Sequence, residues 1–351
     1  AHPHATTTLD LSGTRETLTF LDPSATEFAF EPTFNFSTDA RVQASLRNNV
    51  VSERNRLIYG LDLAHGVARN DGGNGNFAAT PFAQTGIYAQ DSLALAGGSR
   101  VYAGVRAERD GGAGAAITPE LGGILGLGSG FSLRLNAGTA FRVPTAEDLE
   151  FPGFANPFLQ PERTQSFDAT IDNTRIFGGA SFGWFVQTGT NLITLNPAVD
   201  YAAPFGPGNE PLINQQQSSV AGFVLDVASK PFNGIVTRIS VSDIYRALGY
   251  GDGAPPQRLV GRPVFSTSLD IGYTGSAANR LAAAGAVAHT VGILDPGGAG
   301  NYTTVDGYLR LRLARHALLS LRVYDLGNER YEEVAGYPMP GRTFTVELST
   351  R

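Results

Sequence analysis

Apolar and polar side chains alternate with a period of two along much of the chain. That feature constrains the fold most, because a period of two puts two kinds of surface on the two faces of a strand. Val101, Ala103, Val105 and Ala107 share one face, and Tyr102, Gly104, Arg106 and Glu108 share the other. Phe131, Leu133, Leu135 and Ala137 oppose Ser132, Arg134, Asn136 and Gly138 in the same way. Near the end, Leu309, Leu311 and Leu313 oppose Arg310 and Arg312; Leu319, Leu321 and Val323 oppose Ser320, Arg322 and Tyr324; Phe344, Val346 and Leu348 oppose Thr343, Thr345 and Glu347. A helix would scatter these arginines around its circumference, and 43 glycines lower helix propensity further.

A soluble β-sandwich also alternates, but its strands are usually only about 5 to 6 residues long. The segments 55–67, 82–95, 130–141 and 302–313 are longer, at about ten residues or more the length that crosses a bilayer when tilted. The connections alternate as well. Tight turns at 97–99, 126–130, 173–178, 230–234, 275–279 and 314–317 separate long, often Pro/Gly-rich stretches at 109–114, 142–163, 190–212, 247–262, 292–302 and 325–341. Bacterial outer-membrane barrels have this asymmetry, short turns on the periplasmic side and long loops outside. The expectation is therefore an all-β, transmembrane antiparallel β-barrel of roughly 18 strands, with four of the strand candidates before Val50. Its apolar faces meet lipid, its arginine-bearing faces line a wet lumen, and closure removes edges that hydrocarbon does not tolerate.

Composition closes off other classes. Lys230 is the one lysine among 26 basic residues, and the net charge of -6 has no basic cluster of the kind nucleic acid requires. With no cysteine there is no disulfide framework, thiolate metal site or cysteine nucleophile. No apolar run approaches the roughly 20 residues of a membrane helix, and the first ten residues lack the charged start and apolar core of a signal peptide.

Two motifs add a resemblance. "GTAFRVPTAEDL" (138–149) followed by "NPFLQPE" (156–162) resembles the signature of TonB-dependent outer-membrane receptors, G-x-A-F-R, then P-[ST]-x-x-[DE]-L, then N-P-x-L-x-P-E. It places Gly138, Phe141, Arg142, Pro144, Leu149, Asn156, Pro157, Leu159, Pro161 and Glu162 in the family pattern. "RVYDLGNERYEEVAGYPMPGRTFTVEL" (322–348) is similar to the family's closing segment through Tyr331, Gly336, Pro340, Gly341 and Arg342. The family's Asn-Leu-Phe-Asp is here Asp325, Leu326, Gly327 and Asn328. "YAQDSLAL" (88–95) and "VYAGVRAERD" (101–110) add weaker support.

The resemblance implies the C-terminal part of a plugged barrel, whose full form has about 22 strands, with about nine strands after Phe141. Nothing in residues 1–50 resembles the plug or the TonB-engaging segment. The chain is thus expected to be a receptor barrel domain over 1–351, without its first strands and its plug. Family members usually end on an aromatic residue, whereas this chain ends Leu348, Ser349, Thr350, Arg351; a further Phe or Trp codon is the expectation.

Also implied are a monomer in the bacterial outer membrane, in contact with lipid, and uptake of a scarce nutrient complex such as a ferric siderophore or cobalamin. TonB would drive that uptake through the plug. A passive porin or structural barrel is the alternative, and an outer-membrane enzyme the third.

Arg142 and Glu162 bracket the first motif's loop, either as ligand contacts or as the anchor of one strand's end and the start of the next. Motifs shared by receptors of different ligands favour the structural role. The aromatics Phe151, Phe154, Phe158, Tyr201 and Phe205 are the better ligand-binding candidates, against self-packing of a large loop. Histidines 2, 4, 65, 289 and 316 fall in different segments; two ligands at His2 and His4 do not make a metal site, and no spacing resembles a nucleophile elbow or zinc helix. Either "RNDGGNGN" (69–76) or "GYGDGAPP" (249–256) offers loop oxygens for calcium, but Asp71, Asn74 and Asn76 do not follow a calcium-loop spacing. No cofactor is expected beyond that.

Overall fold

The computed structural model describes residues 4–22, 33–71, 77–111, 114–150, 155–196, 198–200, 202–203, 206–250, 255–259, 263–276, 279–293, 300–334 and 337–350. The period-two segments are all strands: β1 (His4–Asp22), β2 (Thr33–Val51), β3 (Asn55–Asp71), β4 (Phe77–Ala94), β5 (Arg100–Asp110), β6 (Gly114–Gly128), β7 (Phe131–Arg142), β8 (Glu162–Asn173), β9 (Gly179–Leu195) and β10 (Leu212–Ala228). They continue as β11 (Ile235–Tyr250), the two-residue β12 (Gln257–Arg258), β13 (Pro263–Thr274), β14 (Leu281–Ile293), β15 (Tyr302–Ala314), β16 (Ala317–Tyr324), the small hairpin β17 (Glu332–Val334) and β18 (Tyr337–Pro338), and β19 (Thr343–Thr350). Seventeen of them form one sheet. Before Val50 two 19-residue strands stand where four shorter ones were expected; one helical turn, α1 (Ala146–Glu150), interrupts the proline-rich stretch after β7.

Each long strand pairs antiparallel with its neighbour in sequence, giving an up-and-down meander. Register carries the alternation across the sheet. Leu9, Leu46, Leu61, Ile87, Ala107 and Ile117 are successive partners on β1 to β6, and all but the alanine are large apolar side chains on one face. Leu133, Ile171, Phe182, Leu225 and Val241 form a second such rung on β7 to β11. Leu9, Ile87, Ile117, Ile171 and Phe182 are exposed, as an apolar band facing lipid requires. Phe167 and Phe182 lie on the same face beside Trp184, whose indole Nε1 donates to the Tyr245 hydroxyl at 2.8 Å; this is the amphipathic aromatic chemistry of a membrane interface.

The other face is polar and cross-linked. Tyr102 donates to Asn136 Oδ1 at 2.8 Å, and Asn136 Nδ2 donates to Asp168 at 2.7 Å. Arg134 grips Asp172 through two nitrogens at 2.9 and 2.8 Å. Arg106 on β5 reaches Asp62 on β3 at 2.6 Å and Glu108 at 2.7 Å, crossing β4 at Gly86. A Cβ on Gly86 would collide with the Arg106 guanidinium, so glycine is what opens the path.

The expected all-β antiparallel barrel fold is what the single sheet forms; among the described residues β1 pairs with β2 and β19 with β16, and no pairing joins β1 to β19. The two edges also differ in length, 19 residues against 8, so pairing them directly would leave more than half of β1 without partners.

Candidate functional site

The connections on one rim are short: 52–54, 95–99, 129–130, 174–178, 229–234, 275–280 and 315–316. Those on the other rim include 143–161, 196–211 and 325–342. The two family-like motifs both fall on the long rim, and each is built around a side-chain clamp.

Arg142 ends β7 and Glu162 begins β8, directly opposite in register. The guanidinium donates from Nε and Nη2 to the two carboxylate oxygens, both at 2.7 Å, the bidentate geometry that gives a charge-assisted pair its strength. Glu162 Oε1 also accepts from the Ile193 backbone N–H on β9 at 2.8 Å. One carboxylate therefore ties three strands at the foot of the loop, and Arg142 Nη1 lies 3.7 Å from Asp148. Inside the loop, Thr145 and Asp148 cap α1 reciprocally: Thr145 N–H donates to Asp148 Oδ2 at 2.9 Å and Asp148 N–H to Thr145 Oγ1 at 3.1 Å. That is a capping box with aspartate in the acid position, and it accounts for the spacing of "PTAED".

The second half of the loop is pinned to the next hairpin. Asn156 is buried; its Nδ2 donates to Leu212 O at 2.8 Å and its Oδ1 accepts from Phe158 N–H at 2.9 Å. Gln160 N–H donates to Asn214 Oδ1 at 2.7 Å, and Asn214 Nδ2 returns a bond to Gln160 O at 2.9 Å. Pro144, Leu159, Pro211 and Leu212 are buried alongside, and Arg163 lies over the Phe141 ring, 5.6 Å from its centroid. Gly138 sits within β7, and Pro161 precedes β8. Pro157 is exposed and Phe158 is 72% exposed at the tip of this pinned segment. Phe151, Phe154, Tyr201 and Phe205 lie outside the described residues, as do Gly336 and most of the two glycine-rich loops considered for calcium.

The closing motif makes a second cluster above β14 and β15. Tyr331 stacks on Tyr302 with ring centroids 4.0 Å apart, and the Tyr302 hydroxyl donates to Glu333 at 3.1 Å. Burial first, then the charges of Glu333, Asp325 and Asp306, raise the Tyr331 phenol above its ordinary value. Asn328 holds a left-handed conformation, φ 55°, and its Oδ1 accepts from Arg342 N–H at 3.0 Å. A Cβ on Gly341 would come within 2.6 Å of that oxygen, which explains the glycine of Pro340-Gly341-Arg342. A cleft of about 780 Å³ opens beside this cluster, lined in part by Asn301, Asn328, Arg330, Tyr331 and Met339.

Asp325, also left-handed at φ 51°, is only 4% exposed. Its backbone N–H donates to Asp306 Oδ1 at 2.9 Å, but neither of its own carboxylate oxygens has a hydrogen-bond partner among the described residues. His289 meets Ser266 Oγ at 3.0 Å and the edge of the Tyr302 ring. No hydrogen bond joins His289 or His65 to an acid among the described residues, so no nucleophile, base and acid come together there.

Of the polar-wall residues, Arg106 and Asn136 were named from the sequence only as members of a strand's polar face, and Asp62 and Asp168 not at all. Their signal was present as the polar phase of the alternation, but strand register was needed to see which of them meet.

The family described as TonB dependent receptor-like, beta-barrel matches residues 3–326. No curated protein matches the sequence. Among solved structures, a mutant of the ferric enterobactin receptor of Pseudomonas aeruginosa is similar with a TM-score of 0.76 at 14% identity, over 99% of this chain and 59% of that one. A structure described as the copper transporter OprC gives 0.80 at 16% identity, over 98% and 62%. The siderophore receptor PirA of Acinetobacter baumannii gives 0.75 at 13% identity, over 99% and 60%. The chain thus spans about three-fifths of the length of the structures it matches.

Proposed function

The chain belongs to the TonB-dependent receptor-like β-barrel family, and from that premise we propose that it is the barrel wall of a bacterial outer-membrane receptor for a scarce nutrient complex. The cargo class is a ferric siderophore, another metal complex or cobalamin, drawn inward with energy from TonB acting on a plug seated in the lumen. The outer edges of β1 and β19, which have no further pairing among the described residues, are covered once the ring is closed, since an unpaired edge is not stable in hydrocarbon. No bond in the cargo need be broken; the energy shifts a conformational equilibrium through differential contacts in its two states.

The observation that carries this reading is the division of labour in one sheet. A cross-linked polar wall, with Arg106, Asp62, Asn136 and Asp168 on it, lies beneath a rim of long connections anchored by Arg142–Glu162 and by Asn156. The anchored loops would meet the cargo, with Phe158, Phe151, Phe154, Tyr201 and Phe205 as contact candidates, and the wall would face the plug.

Deleting the gene and growing the strain under separate iron, copper and cobalamin limitation tests it. A defect confined to one nutrient, matched by loss of TonB and cured by excess of that nutrient, is the expected outcome. Normal growth in every case, together with an open conductance of the purified protein in planar bilayers, would make it a passive pore instead.

A further inference from the structure

The two rims carry opposite charge. Between the strands of the short rim stand Arg54, Arg175, Lys230, Arg280 and Arg315 against one acid, Glu53. The described residues of the long connections hold nine acids against three bases. From β8 to β16, four consecutive short turns, 174–178, 229–234, 275–280 and 315–316, have one base each and no acid, and all four bases are exposed.

Apolar tips accompany the bases. Phe177 is 64% and Phe232 73% exposed, with Ile176 and Ile235 exposed beside them. The two turns that carry them abut, since Gly178 N–H donates to Ala228 O at 2.6 Å. The apolar band of Phe182 and Ile171 runs toward these turns through Ala180, and the polar residue between them, Asn173, is turned onto the Arg175 and Ile176 backbone N–H groups at 2.8 Å each.

We propose that this rim is seated on the headgroups of anionic phospholipids, with Arg175, Lys230, Arg280 and Arg315 each at a lipid phosphate and the Phe177 and Phe232 rings in the acyl boundary. The apolar band fixes the depth of the sheet, so the residues that end it stand at headgroup level, where long basic side chains lay their stems on apolar surface and keep the charge in water. Paired strands lie about 4.8 Å apart, which sets successive turns roughly 10 Å from one another. The bases are thus spread along an arc, one to a headgroup, and do not converge on a single anion. The acidic rim has the opposite preference, so the same contacts also favour one orientation of the sheet in a membrane with anionic lipid on one side.

Native mass spectrometry of the purified protein, titrated separately with phosphatidylglycerol and phosphatidylcholine, provides the test. The anionic lipid should bind at least about fivefold more tightly at low salt, the factor expected from about 1 kcal/mol for even one base at a charged surface. That ratio should fall toward one at high ionic strength, and also in the Arg175→Gln, Lys230→Gln, Arg280→Gln, Arg315→Gln variant. A ratio of one in the unsubstituted protein, or an undiminished ratio in the variant, overturns the proposal. So does loss of the ratio on adding inorganic phosphate at constant ionic strength, which would mean a phosphate pocket. The salt comparison needs no substitution and stands whether or not the variant folds.

Discussion

Arg106 Nη1 lies 2.6 Å from Asp62 Oδ2 two strands away, and the bond passes over Gly86. Both partners are about one-third exposed, so the ion pair alone contributes on the order of 1 kcal/mol or less. Gly86→Leu fills the path and displaces Arg106. It should cost roughly 1–3 kcal/mol as overpacking, measured by urea unfolding in detergent. In an Arg106→Ala background the same substitution should cost much less; equal costs in the two backgrounds would show that the guanidinium does not occupy that space.

Glu162→Gln removes the charge from the clamp with Arg142 while keeping an acceptor for the Ile193 N–H. The expected loss is about 1–3 kcal/mol, seen first as faster proteolytic cleavage within 143–161. Arg142→Lys should behave almost as badly, because lysine keeps the charge but not the fork that matches the carboxylate. If lysine protects the loop as well as arginine does, planar two-point pairing is not what holds it.

Asn156 can be tested by a change of one atom. Asn156→Asp keeps shape but turns the donor to Leu212 O into an acceptor, leaving a buried carbonyl facing a carboxylate. The Asp variant should be destabilised more than Asn156→Ala, which loses the bonds without adding repulsion and costs about 1–3 kcal/mol. The reverse order in thermal melts would remove Asn156 as the pin between the loop and β10.

Asp325 is a buried carboxylate whose oxygens lack hydrogen-bond partners among the described residues, at the position where the resembled family motif has asparagine. Asp325→Asn removes the charge, tolerates the left-handed conformation, and should stabilise the protein by about 1 kcal/mol or more. A lower unfolding midpoint in urea would mean the carboxylate has a favourable role in the fold.

Much of this was legible in the linear chain. Alternation located β3, β4, β7 and β15 to within a few residues, except that β3 runs four residues beyond its expected end and β4 starts five before its expected start. The contrast of tight and long connections predicted which turns share a rim. The motif residues Thr145, Asp148, Asn156, Glu162 and Gly341 could be picked out as a pattern, but not the reason for it. Thr145 caps Asp148 within four residues, a local bond. Asn156 and Leu212 are 56 residues apart, and nothing local to either specifies the other.

By itself the sequence determined the period, and the period determines which side chains share a face, because successive residues of any strand point to opposite sides. Only the tertiary structure decided which polar residues of that face meet. Register across β3, β4 and β5 puts Arg106 within reach of Asp62, and a one-residue slip would send either to lipid. The same holds for the basic rim: Arg175, Lys230, Arg280 and Arg315, far apart in the chain, come to stand on successive turns only because a meander returns every second connection to one edge.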